Sequence, residues 1–391
     1  MTPLAINPAD NPLSRDFYAL LVHNLGPAVP SFLVAMGVAA ALFLPARWLA
    51  FRLGAVAQPG GRNIHSVPTA RLGGLALVGG FTVSALLAIR TTGFDRRAVV
   101  VVAASAIAGL LLTLDDLRPF RARDKFLVQL ALAVGVAVAG LTIDRVNLGA
   151  IGVLRLAPYL AIPVTILWLV GMQNTMNLLD GVDGLAGGVA AVVAAALLLA
   201  AVNREGQDPA QAVVVLLCAG LIGACVGFLI FNFYPARIFM GDGGAHFLGI
   251  ALGTLSIYGI AKGAVVFALF VPLAALAVPI LDTAWAIVRR RRNGLSIGHP
   301  DTAHIHHQLL DFGLSQRQTC LVFYFGTGIT ASLGLMLFGH RKILGVAIVL
   351  LVVALSMLLG DRLNEVESGR EAARTGLPAN EGTKPKPLLE S

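Results

Sequence analysis

Eleven apolar stretches alternate with short polar segments along most of the chain. Each is close to the roughly 20 residues with which a helix crosses the hydrocarbon core of a bilayer. The stretches cover residues 28–45, 72–90, 98–114, 126–141, 156–172, 185–202, 211–231, 244–260, 264–288, 319–338 and 344–360. This pattern predicts an all-α polytopic integral membrane protein with about 11 transmembrane helices.

The same pattern divides the chain into three parts. Residues 1–27 precede the first apolar stretch and lack the basic region of a cleaved signal peptide, so we expect an extracytoplasmic segment followed by an uncleaved span. Residues 28–360 form the predicted transmembrane domain. The tail, residues 361–391, is polar and rich in Pro, Gly, Lys and Glu, which is typical of a disordered extension.

Composition agrees with a membrane protein. Apolar residues make up 57% of the 391 residues, or about 223, which is enough for about 11 helices. Charged residues make up 13%, against roughly 25% in an average soluble protein. A soluble multidomain enzyme, a disulfide scaffold and a disordered chain are therefore excluded. Cys218, Cys225 and Cys320 lie inside apolar runs without the spacing of a metal site.

Basic residues predict the orientation of the chain. With the N-terminus outside, loops 46–71, 115–125, 173–184, 232–243 and 289–318 and the tail lie inside, and together they hold 19 of the 29 lysines and arginines. This bias favours that orientation under the positive-inside rule. The net charge of +8 therefore reflects topology rather than binding of nucleic acid.

The first inner loop places Arg62, His65 and Arg71 just before Gly73 and Gly74. Cationic side chains beside a glycine-led helix N-terminus can hold a phosphate, because the first backbone N–H groups of a helix point outward. A basic turn that only fixes topology is the alternative.

Adjacent acids, Asp115 and Asp116, close the third apolar stretch. Carboxylates there are unfavourable unless they are paired or bind a cation, and the helix dipole adds to the penalty. The alternative is that the pair reaches water and is neutralised by the basic residues that follow, namely Arg118, Arg121, Arg123 and Lys125.

Asn177, Asp180 and Asp183 recur at a spacing of three in a loop that contains no Lys or Arg. The spacing lets them converge, so their charge must be met by a metal or by another loop. Plain Asp-Gly turns are the alternative.

The segment from Asn232 to His246 sets Asp242 among glycines at the start of a span. A carboxylate on such an open backbone can ligate Mg²⁺ while the amides hold phosphate. An ordinary N-cap Asp is the alternative.

The last inner loop holds the histidines His304, His306 and His307 after an arginine run that is typical of a topology signal. Three histidines can bind zinc. However, the carboxylate-rich neighbouring loops favour Mg²⁺, so we expect the histidines to donate to a diphosphate. Asp282, inside the apolar stretch before this loop, is a further acid that a membrane helix carries for a reason.

Acids, histidines, arginines and glycines thus meet on one membrane face, a pattern that suits Mg²⁺-assisted phosphoryl transfer between a soluble and a membrane-held substrate. Two other classes stay open: a secondary transporter and a lipid-binding membrane protein without catalysis. Transporters bind near the bilayer midplane, often between inverted repeats, whereas the acids here collect at helix ends.

Five motifs in order resemble those of the polyprenyl-phosphate N-acetylhexosamine-1-phosphate transferases, a bacterial family that includes phospho-N-acetylmuramoyl-pentapeptide transferase. The resemblance covers roughly residues 30–360, and the His-Ile-His-His form is similar to the N-acetylglucosamine branch. The motifs are His65-x-x-Pro68-Thr69-x-Arg71-x-Gly73-Gly74, Asp115-Asp116, Asn177-Leu-Leu-Asp180-Gly-Val-Asp183-Gly-Leu, Phe239-Met-Gly-Asp242 and His304-Ile-His306-His307.

The resemblance implies attack by undecaprenyl phosphate on the β-phosphate of UDP-N-acetylglucosamine at the cytoplasmic face of the bacterial inner membrane. This is the first membrane step of a cell-envelope polysaccharide. It also implies Mg²⁺, with Mn²⁺ as a substitute, and leaves a homodimer open. The implied catalytic residues are Asp115, Asp116 and Asp242, and the implied metal ligands are Asp242, Asp115 and Asp180. The implied substrate-binding residues are Asn177, Asp180, Asp183, Asn232, His304, His306, His307, Arg62, His65 and Arg71.

One motif departs from the family pattern. Ser or Thr followed by Gly-Ser usually comes after Phe-Met-Gly-Asp, whereas this chain has Gly243, Gly244, Ala245 and His246. Two hydroxyls are missing and a histidine is added, which leaves the identity of the UDP-N-acetylhexosamine open.

Overall fold

The computed structural model describes residues 25–58, 68–147, 153–202, 208, 210–260, 292 and 315–337. Two short antiparallel pairs occur in these ranges, β1 (Val56–Ala57) with β2 (Thr69–Ala70) and β3 (Arg145–Asn147) with β4 (Val153–Arg155). The helices are α1 (Ala28–Leu53), α2 (Gly74–Thr92), α3 (Arg96–Leu117), α4 (Ala122–Val138), α5 (Pro158–Leu179), α6 (Leu185–Val202), α7 (Ala210–Asn232), α8 (Gly241–Ile260) and α9 (Gln316–Leu337).

Nine of the eleven predicted apolar stretches coincide with these helices, and the other two, 264–288 and 344–360, lie outside the described residues. Six helices, α1 to α3 and α5 to α7, are long and apolar enough to cross a membrane. The predicted class is confirmed in its coarser form, a mostly helical protein with several helices that can cross a membrane. The total of eleven spans stays a prediction, as do the limits of the N-terminal segment and the tail, because residues 1–24 and 338–391 are not described.

The two β pairs were not predicted from the sequence. Each strand is only two or three residues long, which is too short to show the alternation that identifies strands. They form because connecting segments near a helical bundle still have backbone N–H and C=O groups to satisfy.

Helix α8 lies at the centre of the bundle, packed against α2, α3, α5, α6 and α7. Residues 241–259 are buried with one exception, Asp242, which is partly exposed. The outer helices instead present apolar side chains to their surroundings, as Leu44 and Trp48 of α1 do, which suits contact with lipid. The central helix therefore opens to solvent only at its first turn.

The segments that lead into α2 and α8 are held together by backbone hydrogen bonds. Phe239 N–H donates to the carbonyl of Ala70 (2.8 Å), and Gly73 N–H and Gly74 N–H donate to the carbonyls of Phe239 and Met240 (both 2.9 Å). The ends of two predicted inner loops, 46–71 and 232–243, are in this way brought together.

Glycines allow the starts of α2 and α8 to touch through their backbones. A Cβ on Gly74 would lie 2.7 Å from the Cα of Gly244 and 2.8 Å from the carbonyl oxygen of Met240. Both distances are too short for any real side chain, and backbone atoms cannot rotate away. Gly74, the second of the paired glycines that follow the first inner loop, is thus required by packing, whatever it also does for a ligand.

We expect Gly74→Ala to destabilise the protein by about 1–3 kcal/mol, as overpacking of a tight contact does. Gly37→Ala is the matched control, because a Cβ on Gly37 in α1 would meet nothing within 4 Å. Thermal unfolding of the purified protein in detergent measures both. Equal unfolding midpoints for the two variants would contradict the close backbone contact.

Candidate active site

Asp116 caps the first turn of the central helix. Its two carboxylate oxygens accept hydrogen bonds from the backbone N–H of Asp242 (2.9 Å) and of Gly243 (3.1 Å). Four N–H groups at a helix N-terminus lack partners within the helix, and the positive end of the dipole favours a carboxylate there. The acid that is unfavourable at the end of α3 is therefore stabilised by the beginning of α8.

Gly241 makes this close approach possible. Its φ of 68° lies in the left-handed region, and a Cβ on it would lie 2.5 Å from both carboxylate oxygens of Asp116. Glycine satisfies both demands because it has no Cβ. The glycine before Asp242 in the fourth motif is thus required by the backbone conformation and by the close approach of Asp116.

Lys125 joins two of the predicted acids. Its Nζ lies 3.0 Å from Oδ2 of Asp115 and 2.5 Å from Oδ1 of Asp242. Asp115 is buried and also accepts a hydrogen bond from the backbone N–H of Phe120. Lys125, the last residue of the basic run, thus neutralises one member of the acid pair, Asp115, which is buried and does not reach water as the alternative interpretation expected.

Asp180 ends α5 and completes the group of acids. Partial burial raises the pKa of this carboxyl well above its usual range, and the negative charges of Asp116 and Asp242 raise it further, while Arg71 opposes them. Among the described residues, no group donates a hydrogen bond to its carboxylate. Negative charge is therefore in excess here. The loop that carries Asp180 contains no Lys or Arg, so a cation from outside the loop must compensate this charge.

Asp183 and Asn232 hold two loops together. Oδ2 of Asp183 accepts from the backbone N–H of Ala236 (2.9 Å), and Asn232 accepts from Gly184 N–H (3.0 Å) and donates to the carbonyl of Ile238 (2.8 Å). Gly184 has a φ of 84°, so the Asp-Gly turn interpretation is correct there. A role of either side chain in substrate binding stays a prediction.

Helix α9 closes the same end of the bundle. Tyr324 O–H donates to the carbonyl of Gly184 (2.6 Å), Cys320 Sγ lies 3.2 Å from the carbonyl of Asp183, and Arg317 donates to the carbonyl of Tyr234. The contacts of Tyr324 and Cys320 could not be predicted from the sequence, because an aromatic residue or a Cys in an apolar run is indistinguishable from an ordinary core residue.

The remaining predicted residues are placed as follows. Arg71 is exposed beside the acids, and Asn177 lies on α5 one turn before Asp180. Outside the described residues lie Arg62, His65, Asp282, His304, His306 and His307.

The donors brought together here are carboxylates, the hard oxygen ligands that suit Mg²⁺ rather than zinc. The described part of the chain contains no preformed group of three His, Cys, Asp or Glu side chains with metal-binding geometry. Both oxygens of Asp116 are engaged by amides, and both oxygens of Asp115 are engaged, one by Lys125 and the other by the backbone N–H of Phe120. Lys125 contacts only Oδ1 of Asp242. By donor chemistry Asp180 and Asp242 therefore fit a divalent cation best.

Acids at helix ends, a bridging lysine and a capped helix N-terminus define a polar site at one end of a membrane-embedded bundle, of the kind that handles phosphate groups. Residues 98–260, which contain most of this site, match the model of glycosyl transferase family 4.

Curated relatives extend the similarity over most of the chain. A probable undecaprenyl-phosphate N-acetylglucosaminyl 1-phosphate transferase of Bacillus subtilis is 38% identical over 71% of this chain and 75% of its own length. A decaprenyl-phosphate N-acetylglucosaminephosphotransferase of Mycobacterium tuberculosis is 36% identical over 80% and 84%. A phospho-N-acetylmuramoyl-pentapeptide-transferase of Synechococcus is 32% identical over 80% and 94%. The chain belongs to glycosyl transferase family 4, among the polyprenyl-phosphate sugar-1-phosphate transferases.

We expect Asp116→Ala to lower stability by about 0.5–2 kcal/mol, the usual effect of removing a helix cap. Asp95→Ala is the matched control, because Asp95 caps the start of α3 by accepting from Arg97 N–H and Ala98 N–H. It lies at the opposite end of that helix, about 30 Å away. Both variants should unfold at lower temperature, but only Asp116→Ala should impair the activity of the site. A variant at 116 that unfolds like the wild type would disprove the cap.

Proposed function

We propose that the protein transfers N-acetylglucosamine-1-phosphate from UDP-N-acetylglucosamine to undecaprenyl phosphate. The products are undecaprenyl-diphospho-N-acetylglucosamine and UMP. The observation that carries this proposal is the contact of Lys125 with both Asp115 and Asp242 beside the capped start of α8. The names of the relatives support the substrates, since those at 36–38% identity act on N-acetylglucosamine and the muramoyl-pentapeptide relative is 32% identical.

In the proposed reaction, an oxygen of the lipid phosphate forms a new bond to the β-phosphorus of the donor. The bond from that phosphorus to the oxygen bridging the α- and β-phosphates breaks, and UMP leaves with this oxygen. A phosphate monoester has a second pKa of about 6, so it is largely a dianion at neutral pH. The attacking group therefore needs positioning and charge compensation more than a general base.

The described residues supply positive charge and positioning for the phosphate groups. Lys125 offers an ammonium group to phosphate oxygens, and Asp115 holds that ammonium in place by an ion pair (3.0 Å). Arg71, exposed at the edge of the acids, adds a cation that attracts the anionic donor.

We assign Asp180 and Asp242 to a Mg²⁺ ion. When bound, Mg²⁺ neutralises charge on the diphosphate and orients it. Asp115, which is already engaged by Lys125, then acts through the lysine rather than as a metal ligand. His304, His306 and His307 stay predicted diphosphate donors, in the loop that leads into α9.

The site is proposed to face the cytoplasm of a bacterial inner membrane. The loops that meet at the site are the ones whose basic residues favour the inside, and a nucleotide-sugar is a soluble substrate made in the cytoplasm. The lipid acceptor reaches the site laterally from the bilayer that surrounds the helices. A secondary transporter receives no support, because the acids cluster at helix ends instead of the bilayer midplane.

Purified protein with Mg²⁺, UDP-N-acetylglucosamine and undecaprenyl phosphate should release UMP, and Asp242→Asn should reduce the rate by at least about 100-fold, as loss of a charge-stabilising group does. Asp95→Asn is the control. It makes the same substitution at the start of α3, at the end of that helix opposite to Asp115 and Asp116. A panel of UDP-sugars tests the sugar. An active Asp242→Asn enzyme would remove Asp242 from the mechanism, and absence of UMP with every donor would contradict the proposed function.

Asp180→Asn should separate stability from activity. The raised pKa of Asp180 means that its charged form is less favourable in the folded than in the unfolded protein. Replacing it with a neutral amide removes this penalty at any pH at which the carboxyl would be ionised. We therefore expect a higher unfolding midpoint in metal-free buffer together with loss of UMP release. A lower midpoint would show that the carboxylate is stabilised by the fold.

A further inference from the structure

His246, the histidine that the altered motif adds, is fully buried, and both of its ring nitrogens have hydrogen-bond partners. Nδ1 lies 2.7 Å from the backbone carbonyl oxygen of Asp242, and Nε2 lies 2.8 Å from Nε2 of Gln129. A carbonyl oxygen can only accept, so Nδ1 carries the proton and Nε2 accepts from the Gln129 amide. The ring therefore connects the backbone of Asp242 to a side chain of α4.

The connection repeats the Lys125 ion pair one helical turn deeper in the bundle. Lys125 and Gln129 are four residues apart on α4, and Asp242 and His246 are four residues apart on α8. Residues at this spacing lie on one face of a helix. Two contacts, Lys125 with Asp242 and Gln129 with His246, thus fix the same pair of helix faces against each other.

Gln129 extends the network to a third helix. Its Oε1 accepts from Nδ2 of Asn174 on α5 (2.9 Å), and Asn174 lies one turn before Asn177 and two turns before Asp180. One chain of hydrogen bonds, from His246 through Gln129 to Asn174, therefore joins α8, α4 and α5 beside the acids.

One of the two missing hydroxyls would belong at residue 243. A Cβ on Gly243 would point at α3, 2.8 Å from the carbonyl oxygen of Gly109 and 3.0 Å from the backbone nitrogen of Thr113. Gly244 keeps the glycine of the family motif, and a Cβ on it would lie 3.0 Å from the Cα of Gly74. Gly243 and Gly244 therefore serve helix packing, whereas the added histidine is the residue whose side chain reaches toward a site element.

We propose that His246 is a positioning residue for the phosphoryl transfer: with Gln129 it holds Asp242 and Lys125 in register. The proposal rests on the proposed function. Displacement of a reacting group by about 1 Å lowers rates by about 100-fold, and loss of groups that orient a metal ligand lowers metal affinity or activity by about 10–100-fold. The His246 ring fixes the backbone of Asp242, so it affects both the position of the reacting groups and the orientation of the proposed metal ligand.

A simple packing role gives a different expectation. Replacing both members of a buried hydrogen-bonded pair with apolar groups of similar shape is nearly neutral for stability. The double variant His246→Leu/Gln129→Met therefore keeps the packing and removes the register contact. Asn174 is exposed, so water can replace its lost partner.

The experiment compares His246→Leu, the double variant and His246→Gln, which keeps a donor and an acceptor. Thr254→Val is the control, because Thr254 is equally buried on α8 and its hydroxyl bonds only to carbonyls of its own helix. The readouts are kcat and KM for UMP release, the thermal unfolding midpoint, and the Kd for Mn²⁺ by electron paramagnetic resonance.

We expect His246→Leu and the double variant to lower kcat or weaken Mn²⁺ binding by about 10–100-fold, with KM for the nucleotide-sugar little changed. The double variant should unfold near the wild-type temperature, and His246→Gln and Thr254→Val should behave like the wild type. A double variant with wild-type kcat and Mn²⁺ affinity would overturn the proposal. If His246→Leu fails to fold, the other two variants decide. If the wild type releases no UMP, the proposed function fails, and Mn²⁺ binding alone decides the role of His246.

Discussion

The capping of α8 by Asp116 is the interaction on which the rest of the site depends. A helix N-terminus inside a membrane protein has N–H groups that neither lipid nor its own carbonyls can satisfy. The carboxylate of Asp116 satisfies those of Asp242 and Gly243. This fixes where the central helix starts, and with it the direction of the Asp242 side chain, which is the only partly exposed position on residues 241–259 of that helix.

Concentrating acids around this cap makes the site electrostatically unfavourable before any ligand binds. Asp180 shows this most clearly, since burial and the charges of Asp116 and Asp242 raise its pKa. Lys125 compensates part of the charge through Asp115 and Asp242. The remaining excess is the physical basis of affinity for a cation, because a protein that neutralised every carboxylate internally would have nothing left with which to bind one.

Much of the fold could be predicted from hydropathy, because a bilayer forces each spanning segment to be long, apolar and helical. Asp115, Asp116 and Asp242 were also identifiable, since charge is conspicuous where 13% of residues carry it. Lys125, Gln129 and Tyr324 could not be identified from the sequence as residues near the site. A lysine in a basic run, a glutamine in an apolar helix and an aromatic among apolar residues each have an ordinary explanation, and only their partners reveal a further role.

The sequence by itself determined the membrane class, the helix positions within the described ranges, and which loops hold the acids, because hydrophobicity and charge are properties of single residues and their spacing. The tertiary structure decided which groups touch: Asp116 with the start of α8, Lys125 with two acids, and His246 with Gln129. Apart from the contact of Lys125 with Asp115, those contacts join residues 117 to 126 positions apart, and no local pattern encodes a partner at that distance.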